Sequence, residues 1–213
     1  MNVALRPDDW KNVMDKKTLW VGLGSLMLIV LAVLATIWFG KPASFRGTSY
    51  GEPYPVAPSI ELTRADGEVF RLSDQSGKIV LLFFGYTSCP DVCPTTMAEM
   101  KLVMDELGDA ASSVQVVFIS VDPERDTSEK MQKYAEHFNA DFIGLTGSME
   151  DLQKIWDGYG VYRAVNQTNS ALGYIVDHTA RLTLVDADGN LRLSYGFQTP
   201  VDDIVHDIKL LLK

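Results

Sequence analysis

The chain has 213 residues, of which 46% are hydrophobic and 22% charged, and its formal net charge at pH 7 is −9. These fractions are those of a folded globular protein, so they exclude a chain that is disordered throughout. The negative charge and the lack of any Lys- or Arg-rich run exclude nucleic acid as a partner, since phosphate binding needs clustered positive charge.

The first predicted element is an apolar helix at residues 20–39. This stretch contains no charged residue. Twenty helical residues are about 30 Å long, which matches the hydrocarbon thickness of a membrane. A cleaved signal peptide is the alternative, but it needs a shorter apolar region and a small-residue cleavage site, and neither is found here. We therefore expect an uncleaved, single-span membrane anchor.

The charges that flank this stretch predict its orientation. Four positive residues precede it and two follow it closely, namely Arg6, Lys11, Lys16 and Lys17 before it and Lys41 and Arg46 after it. Positive charge favours the cytoplasmic side, so residues 1–19 are expected to be a cytoplasmic tail and the rest of the chain extracytoplasmic. The tail also carries acidic residues, unlike an organelle transit peptide, which favours a bacterial plasma membrane.

Residues 40–59 are the next distinct segment. They hold four of the nine prolines in the chain. Proline-rich segments are semi-extended spacers. We expect a linker here, followed by one domain at residues 60–213.

The predicted elements of this domain alternate between strands and helices. Asp66-Gly67 predicts a hairpin turn between strands at 60–63 and 69–72. Uninterrupted apolar runs at 79–86 and 114–121 predict buried strands. Helices are predicted at 95–107, 128–138, 149–159 and 201–212, a short strand at 141–145, and a terminal β-ribbon from 174–179, 181–185 and 191–195. This order predicts an α/β fold with a mixed sheet, and the strand, Cys loop and helix at 79–107 are typical of thioredoxin-like folds.

Cys89 and Cys93 are the only cysteines, and they follow the apolar run at 79–86. A cysteine at a helix N-terminus is favoured as a thiolate by the free N–H groups and the helix dipole. Pro94 suits a first helical turn, where it needs no N–H partner. If the segment is helical, the four-residue step places both sulfurs on one face, within reach of one ion or of each other.

His178 is the third candidate, because it follows an apolar strand and lies between Asp177 and Thr179. Asp91 and Asp177 are candidates for orienting the site through hydrogen bonds. Solvated loop carboxylates are the alternative interpretation of both.

Four kinds of site suit these residues. Two thiolates and one imidazole favour copper, as Cu(I) or Cu(II), and leave a position open for handing the metal to a partner. Catalytic zinc is also open. A purely structural disulfide would close a very small loop and contribute little stability. A thiol–disulfide enzyme is the main rival outside the cytoplasm, although thioredoxin-type enzymes usually have two residues between the cysteines and this chain has three.

Three segments, 88–94 (SCPDVCP), 121–127 (VDPERDT) and 176–178 (VDH), resemble the SCO/SenC family of copper chaperones. The resemblance covers roughly residues 60–213, with a matching anchor and linker before them. It implies a single-span, thioredoxin-like protein that helps to assemble the copper centre of cytochrome c oxidase. The segment 185–189 lacks the proline that many members carry in that turn.

Carried over by position, the resemblance implies copper ligands at Cys89, Cys93 and His178, and a supporting role for Asp122. The leading prediction is a membrane-anchored metallochaperone rather than an enzyme. It would receive copper from an extracytoplasmic donor and deliver it to the dinuclear copper subunit of a terminal oxidase. The rival prediction is a thiol–disulfide reductase or redox sensor that acts on the cysteines of that subunit.

Overall fold

The computed structural model describes residues 16–39, 44–169 and 173–213. The chain forms two compact units, one ending at Ser44 and the other running from Phe45 to Lys213. Most of the predicted cytoplasmic tail lies outside the described residues.

The described part of the first unit is a helix, α1 at Lys16–Phe39, which contains the predicted apolar stretch and begins four residues earlier. Its two hydroxyl side chains bond within the helix. Ser25 Oγ donates to the Val21 carbonyl at 2.9 Å, and Thr36 Oγ1 donates to the Val33 carbonyl at 2.8 Å. Across the residues that the structure describes, no helix combines the length and the apolar character needed to cross a membrane. The single-span anchor therefore stays a prediction.

The second unit is built from short strands and helices. Its strands are β1 at Thr48–Ser49, β2 at Glu61–Thr63, β3 at Val69–Arg71, β4 at Ile79–Gly85, β5 at Val114–Ser120, β6 at Ile143–Leu145, β7 at Arg163–Gln167, β8 at Tyr174–His178, β9 at Arg181–Val185 and β10 at Leu191–Gly196. Its α-helices are α2 at Val92–Leu107, α3 at Ser128–Phe138, α4 at Met149–Tyr159 and α5 at Val201–Leu211, with 3-10 turns at Leu72–Gln75 and Gly108–Ser113.

Within the described residues, the main sheet has six strands in the order β1-β10-β9-β4-β5-β6. β4, β5 and β6 are parallel to one another, whereas β9 runs antiparallel to β4 and β10 antiparallel to β9. The sheet is therefore mixed, as predicted. Every residue of β4 is buried, which explains its uninterrupted apolar sequence.

Several predicted elements are confirmed in their place and type. α3, α4 and β9 have the predicted bounds. β2 and β3 form the predicted hairpin, with Leu62 opposite Phe70. Gly67 in its turn has a φ of 88°, a conformation that glycine adopts without steric cost.

The predicted terminal β-ribbon is wrong in its first strand. β8 pairs with β7, in a two-stranded sheet of their own, and not with β9. Both edges of β9 are already occupied, one by β4 and the other by β10. β7 was not predicted because its sequence, RAVNQ, is polar and largely exposed and lacks an alternating apolar face.

The segment expected as a linker, 40–59, also differs from the prediction. From Phe45 onwards the chain belongs to the second unit, where β1 lies antiparallel to β10 at the edge of the main sheet. The buried carboxylate of Asp207 on α5 accepts hydrogen bonds from the backbone N–H groups of Arg46, at 3.0 Å, and Gly47, at 2.8 Å. Proline-rich extended chain is compatible with such an edge position.

Candidate metal centre

Both cysteines lie where the chain passes from β4 into α2. The helix begins at Val92, three residues before its predicted start, so Cys93 is in its first turn and Cys89 lies three residues before the helix. Pro94 does not prevent the early start, because the first helical turn needs no N–H partner there. The strand–loop–helix order therefore places both sulfurs at the helix N-terminus.

Gly85, the last residue of β4, lets the Cys93 side chain approach the sheet. A Cβ atom at Gly85 would lie 2.7 Å from Cys93 Sγ and 2.7 Å from the ring of Phe118. Real side chains do not tolerate such distances, so glycine is required for this packing. Cys93 is fully buried as a result, while Cys89 stays partly exposed.

The two thiols are unbridged and differ in their acidity. The pKa of Cys89 is held well below its usual range, first because the Cys93 thiol donates a hydrogen bond to its sulfur. His178 and the N–H groups of Asp91 and Cys93 lower it further, the last at 3.4 Å from the sulfur. The pKa of Cys93 is raised, because its proton is held in the bond to Cys89 and because the thiol is buried. The pair therefore carries one thiolate, on Cys89.

His178 ends β8 and reaches the thiols from the other side. Its Nε2 lies 3.8 Å from Cys93 Sγ, and its Nδ1 lies 3.2 Å from the carbonyl oxygen of Thr179. A carbonyl only accepts, so Nδ1 carries a proton, and this hydrogen bond orients the ring with Nε2 toward the sulfur. The ring also packs edge-on against Tyr86, at a centroid distance of 5.9 Å.

The spacing of Cys93 and His178 suits two ligands of one ion. With the bond lengths of zinc, about 2.3 Å to sulfur and 2.0 Å to nitrogen, a sulfur and a nitrogen that share one ion would lie at most about 4.3 Å apart. The observed separation is 3.8 Å. Among the described residues, no group of three or more His, Cys, Asp and Glu side chains has the arrangement of a metal site. The role of Cys89 as a third ligand stays a prediction.

Asp91 and Asp177 both have exposed side chains, and neither contributes its carboxylate to the site in the way that was predicted. The Asp91 side chain is exposed and makes no capping bond to α2, so its contribution to Cys89 comes from its backbone N–H. Asp177 is exposed and accepts a hydrogen bond from Asn166 Nδ2 at 2.6 Å, across the β7–β8 pair. Alternation along the strand places Asp177 on the face opposite His178.

Asp122 is fully buried and supports the strand that carries His178. Its Oδ1 accepts from the Tyr174 hydroxyl at 2.8 Å, and its Oδ2 accepts from Arg125 Nε. Tyr174 is the first residue of β8. The resemblance implies a supporting role for Asp122. In the structure its carboxylate contacts Tyr174, on the strand of His178, and not the thiols.

Asp126 is a site residue that the sequence analysis missed. Its buried carboxylate accepts from the Thr87 N–H at 3.2 Å, the Thr87 hydroxyl at 2.5 Å and the Ser120 hydroxyl at 2.7 Å. Burial raises its pKa. Asp126 thus ties the start of the cysteine loop to the end of β5. The available signal was a second aspartate in the motif at 121–127.

Tyr86 was also missed. It is buried, and its hydroxyl oxygen accepts from the Val176 N–H at 3.3 Å. The hydrogen bond joins the chain just after β4 to the middle of β8. The aromatic end of the apolar run at 79–86 was the only local signal, since nothing in the sequence indicates its partner.

Comparisons with known proteins agree with this architecture. Residues 48–213 match the model of the SCO1/SenC family. The chain belongs to the SCO1/SenC family. An SCO2-like protein of Rickettsia felis is 31% identical over 193 residues, which cover 90% of this chain and 92% of the relative.

Two solved structures of Sco proteins resemble this SCO1/SenC chain. The solution structure of apo Sco1 from Thermus thermophilus is 41% identical, with a TM-score of 0.71, and the match covers 79% of this chain and 98% of that one. The structure of Bradyrhizobium japonicum ScoI with copper bound is 36% identical, with a TM-score of 0.67, covering 74% and 99%. These neighbours confirm the thioredoxin-like α/β fold with a mixed central sheet.

Proposed function

We propose that this SCO1/SenC protein binds one copper ion through Cys89, Cys93 and His178 and delivers it to the dinuclear copper centre of cytochrome c oxidase. The observation that carries the proposal is the 3.8 Å approach of Cys93 Sγ to His178 Nε2, beside the thiolate of Cys89. The copper-bound Bradyrhizobium relative supports copper as the cargo.

The chemistry of the three side chains suits a site that binds copper and then transfers it to another protein. Thiolates select Cu(I), and a set of two cysteines and one histidine also holds Cu(II). Binding to both sulfurs displaces the proton of Cys93, so uptake of the ion releases one proton from the pair. Cys89 is partly exposed. A ligand of an acceptor protein can therefore reach the ion and replace the sulfurs one at a time.

We place the domain on the extracytoplasmic side of a bacterial plasma membrane, held there by the segment at 20–39. The support is the absence of charge in this segment and the excess of Lys and Arg before it. In this position the domain would meet an extracytoplasmic copper donor and the copper-centre subunit of the oxidase.

A second function, thiol–disulfide exchange, is favoured by the asymmetry of the two cysteines. Cys89 is partly exposed and has a lowered pKa, while Cys93 is buried and protonated. Such a pair has the roles of attacking and resolving thiol. Cys89 would attack a disulfide of the oxidase subunit and release one partner thiolate. Cys93, on losing its proton, would then attack Cys89, which reduces the second partner sulfur and leaves a Cys89–Cys93 disulfide.

A transfer experiment separates the two functions. The full-length chain in detergent is loaded with one equivalent of Cu(I) and mixed with the metal-free, fully reduced copper-binding subunit of the oxidase. Copper delivery predicts that copper moves to the subunit from the wild type, and that His178→Ala lowers the loading and the amount transferred. His137→Ala, which changes an exposed histidine on α3, is the matched control. Copper delivery is wrong if the reduced subunit acquires no copper from the wild type. Thiol–disulfide exchange is favoured if, in addition, the chain reduces the disulfide of an oxidised subunit.

A further inference from the structure

His178 and the two cysteines lie on separate pieces of the fold. The cysteines follow β4 at the centre of the main sheet, whereas His178 lies on β8, which pairs with β7 in a separate two-stranded sheet. β8 is joined to the main sheet at its carboxyl end, where two residues connect it to β9. The direction in which β8 passes the thiols therefore depends on what holds its amino end, besides its pairing with β7 and the bond from Val176 to Tyr86.

Tyr174 holds that amino end through three contacts with the segment that follows β5. Its hydroxyl donates to Asp122 Oδ1 at 2.8 Å, its carbonyl accepts from a terminal nitrogen of Arg125 at 2.9 Å, and its ring lies 3.6 Å from the guanidinium carbon of Arg125. Asp122 is fully buried, so the phenol and the guanidinium are the groups that satisfy its charge. We call Asp122, Arg125 and Tyr174 the hairpin latch.

The latch is connected to the cysteine loop as well as to the hairpin. The N–H of Val121, one residue before the latch, donates to the carbonyl of Gly85 at 2.8 Å. Arg125 also lies over the ring of Tyr86, 5.6 Å from its centroid. The hairpin latch therefore also contacts the segment that leads from β4 to the two cysteines.

A shift at Tyr174 reaches His178 along one face of β8. Tyr174 and His178 are four residues apart, so they point to the same side of the strand, about 13 Å from each other. Val176 lies between them on this face, and its N–H donates to the Tyr86 hydroxyl. The carboxyl end of β8 is fixed by its short connection to β9. If the contacts of Tyr174 are lost, we expect the amino end of β8 to shift and the strand to tilt, which moves the imidazole of His178.

We propose that Tyr174 and Arg125 are positioning residues for copper, which act by setting the distance between His178 and the thiols. The inference rests on the proposed copper function and adds the residues that tune its affinity. Groups that orient metal ligands typically change metal affinity by about 10- to 100-fold when removed. Because the latch acts through His178, its loss has no effect on copper affinity once the imidazole is gone.

A double-mutant cycle tests the latch. The affinity of the full-length chain in detergent for Cu(I) is measured by competition with a chromophoric chelator, for Tyr174→Phe in the wild-type and in the His178→Ala background. Tyr174→Phe keeps the ring over Arg125 and removes the hydroxyl. We expect about tenfold weaker binding in the first background and no change in the second. Tyr159→Phe is the matched control, since it also removes a hydrogen-bonded tyrosine hydroxyl, one bonded to the Pro58 carbonyl at 2.7 Å, and we expect it to leave the affinity unchanged.

Arg125→Lys is the second variant of the cycle. Lysine keeps the charge but cannot bond to Asp122 and to the Tyr174 carbonyl in the same fixed geometry, so the same His178-dependent loss is expected. The thiolate-to-Cu(II) absorption band should shift in both variants and stay in place in Tyr159→Phe. Equal losses in both backgrounds, or no loss from either variant, overturn the latch while leaving the copper site intact. If His178→Ala itself leaves the affinity unchanged, the three-ligand site is wrong, and the latch with it.

Discussion

Cys93 Sγ and His178 Nε2 lie 3.8 Å apart although 85 residues separate them in the chain. The sulfur comes from the first turn of α2 and the nitrogen from the end of β8. The Thr179 carbonyl accepts a hydrogen bond from Nδ1 and so orients the ring with Nε2 toward the sulfur. The predictions below concern the groups that create and maintain this approach.

The first prediction concerns the acidity of Cys89. The hydrogen bond from Cys93 is the largest cause of its lowered pKa, so Cys93→Ala should raise that pKa. A lowered pKa keeps the thiolate present as the pH falls from 8, so alkylation of wild-type Cys89 by iodoacetamide should stay fast into the acidic range. In Cys93→Ala the alkylation rate should instead begin to fall at a higher pH than in the wild type, because the largest cause of the lowered pKa is gone.

The measurement is the pH profile of the alkylation rate, followed by mass spectrometry on the reduced chain. His137→Ala serves as control and should give the wild-type profile. Identical profiles for Cys93→Ala and the wild type would show that the Cys93 thiol does not determine the acidity of Cys89.

The second prediction concerns Gly85. A Cβ atom there would lie 2.7 Å from Cys93 Sγ and from the Phe118 ring, so Gly85→Ala should overpack the site. We expect a loss of about 1–3 kcal/mol in the free energy of unfolding, measured with urea, together with weaker copper binding. Gly196→Ala is the matched control, because a Cβ atom at that strand position has nothing within 4 Å. A Gly85→Ala variant as stable as the control would contradict the close approach.

The third prediction concerns the buried carboxylate of Asp126. Asp126→Asn directs an amide group toward Thr87 and Ser120, which both donate to this position in the wild type. Leaving buried donors unpaired costs about 1–3 kcal/mol, so the free energy of unfolding should fall by that amount. Asp177→Asn, an exposed carboxylate at the hairpin, should change it by less than about 0.5 kcal/mol. Equal effects of the two substitutions would contradict the role of Asp126 in holding the cysteine loop.

The fourth prediction concerns membrane attachment. Deletion of residues 16–39 from the full chain should release the protein from the membrane fraction of a bacterial host, because the deleted segment holds the long uncharged stretch. The measurement is the distribution of the two forms between membrane and soluble fractions, before and after washing with high salt and carbonate. A full-length chain that washes off as readily as the deleted form would contradict the anchor.

The elements with local signals could be predicted from the sequence. Thr127 and Ser148 precede α3 and α4, and each side chain accepts a backbone hydrogen bond from the first turn of its helix. Such caps depend on residues close in the chain, and both helices were predicted with the observed bounds. β4 and its following loop were predicted for a similar reason, because an uninterrupted apolar run indicates a buried strand.

The contacts between distant segments could not be predicted in this way. The polar sequence of β7 becomes a strand only because β8 lies beside it. Tyr174 and Arg125 are 49 residues apart, and nothing local in either segment indicates their contact. The set of three ligands stays a prediction, although Cys93 and His178 do lie close together. The choice of His178 came from the family resemblance as well as from the strand before it.

Copper binding by full-length chains that differ at one histidine shows whether His178 is a copper ligand. The measurement is the stoichiometry and the Cu(I) affinity of the reduced wild type, His178→Ala and His137→Ala in detergent, by competition with a chromophoric chelator. We expect one copper per chain in the wild type and in His137→Ala, and an affinity at least about tenfold weaker in His178→Ala. Equal stoichiometry and affinity in all three chains would contradict the assignment of His178 as a copper ligand.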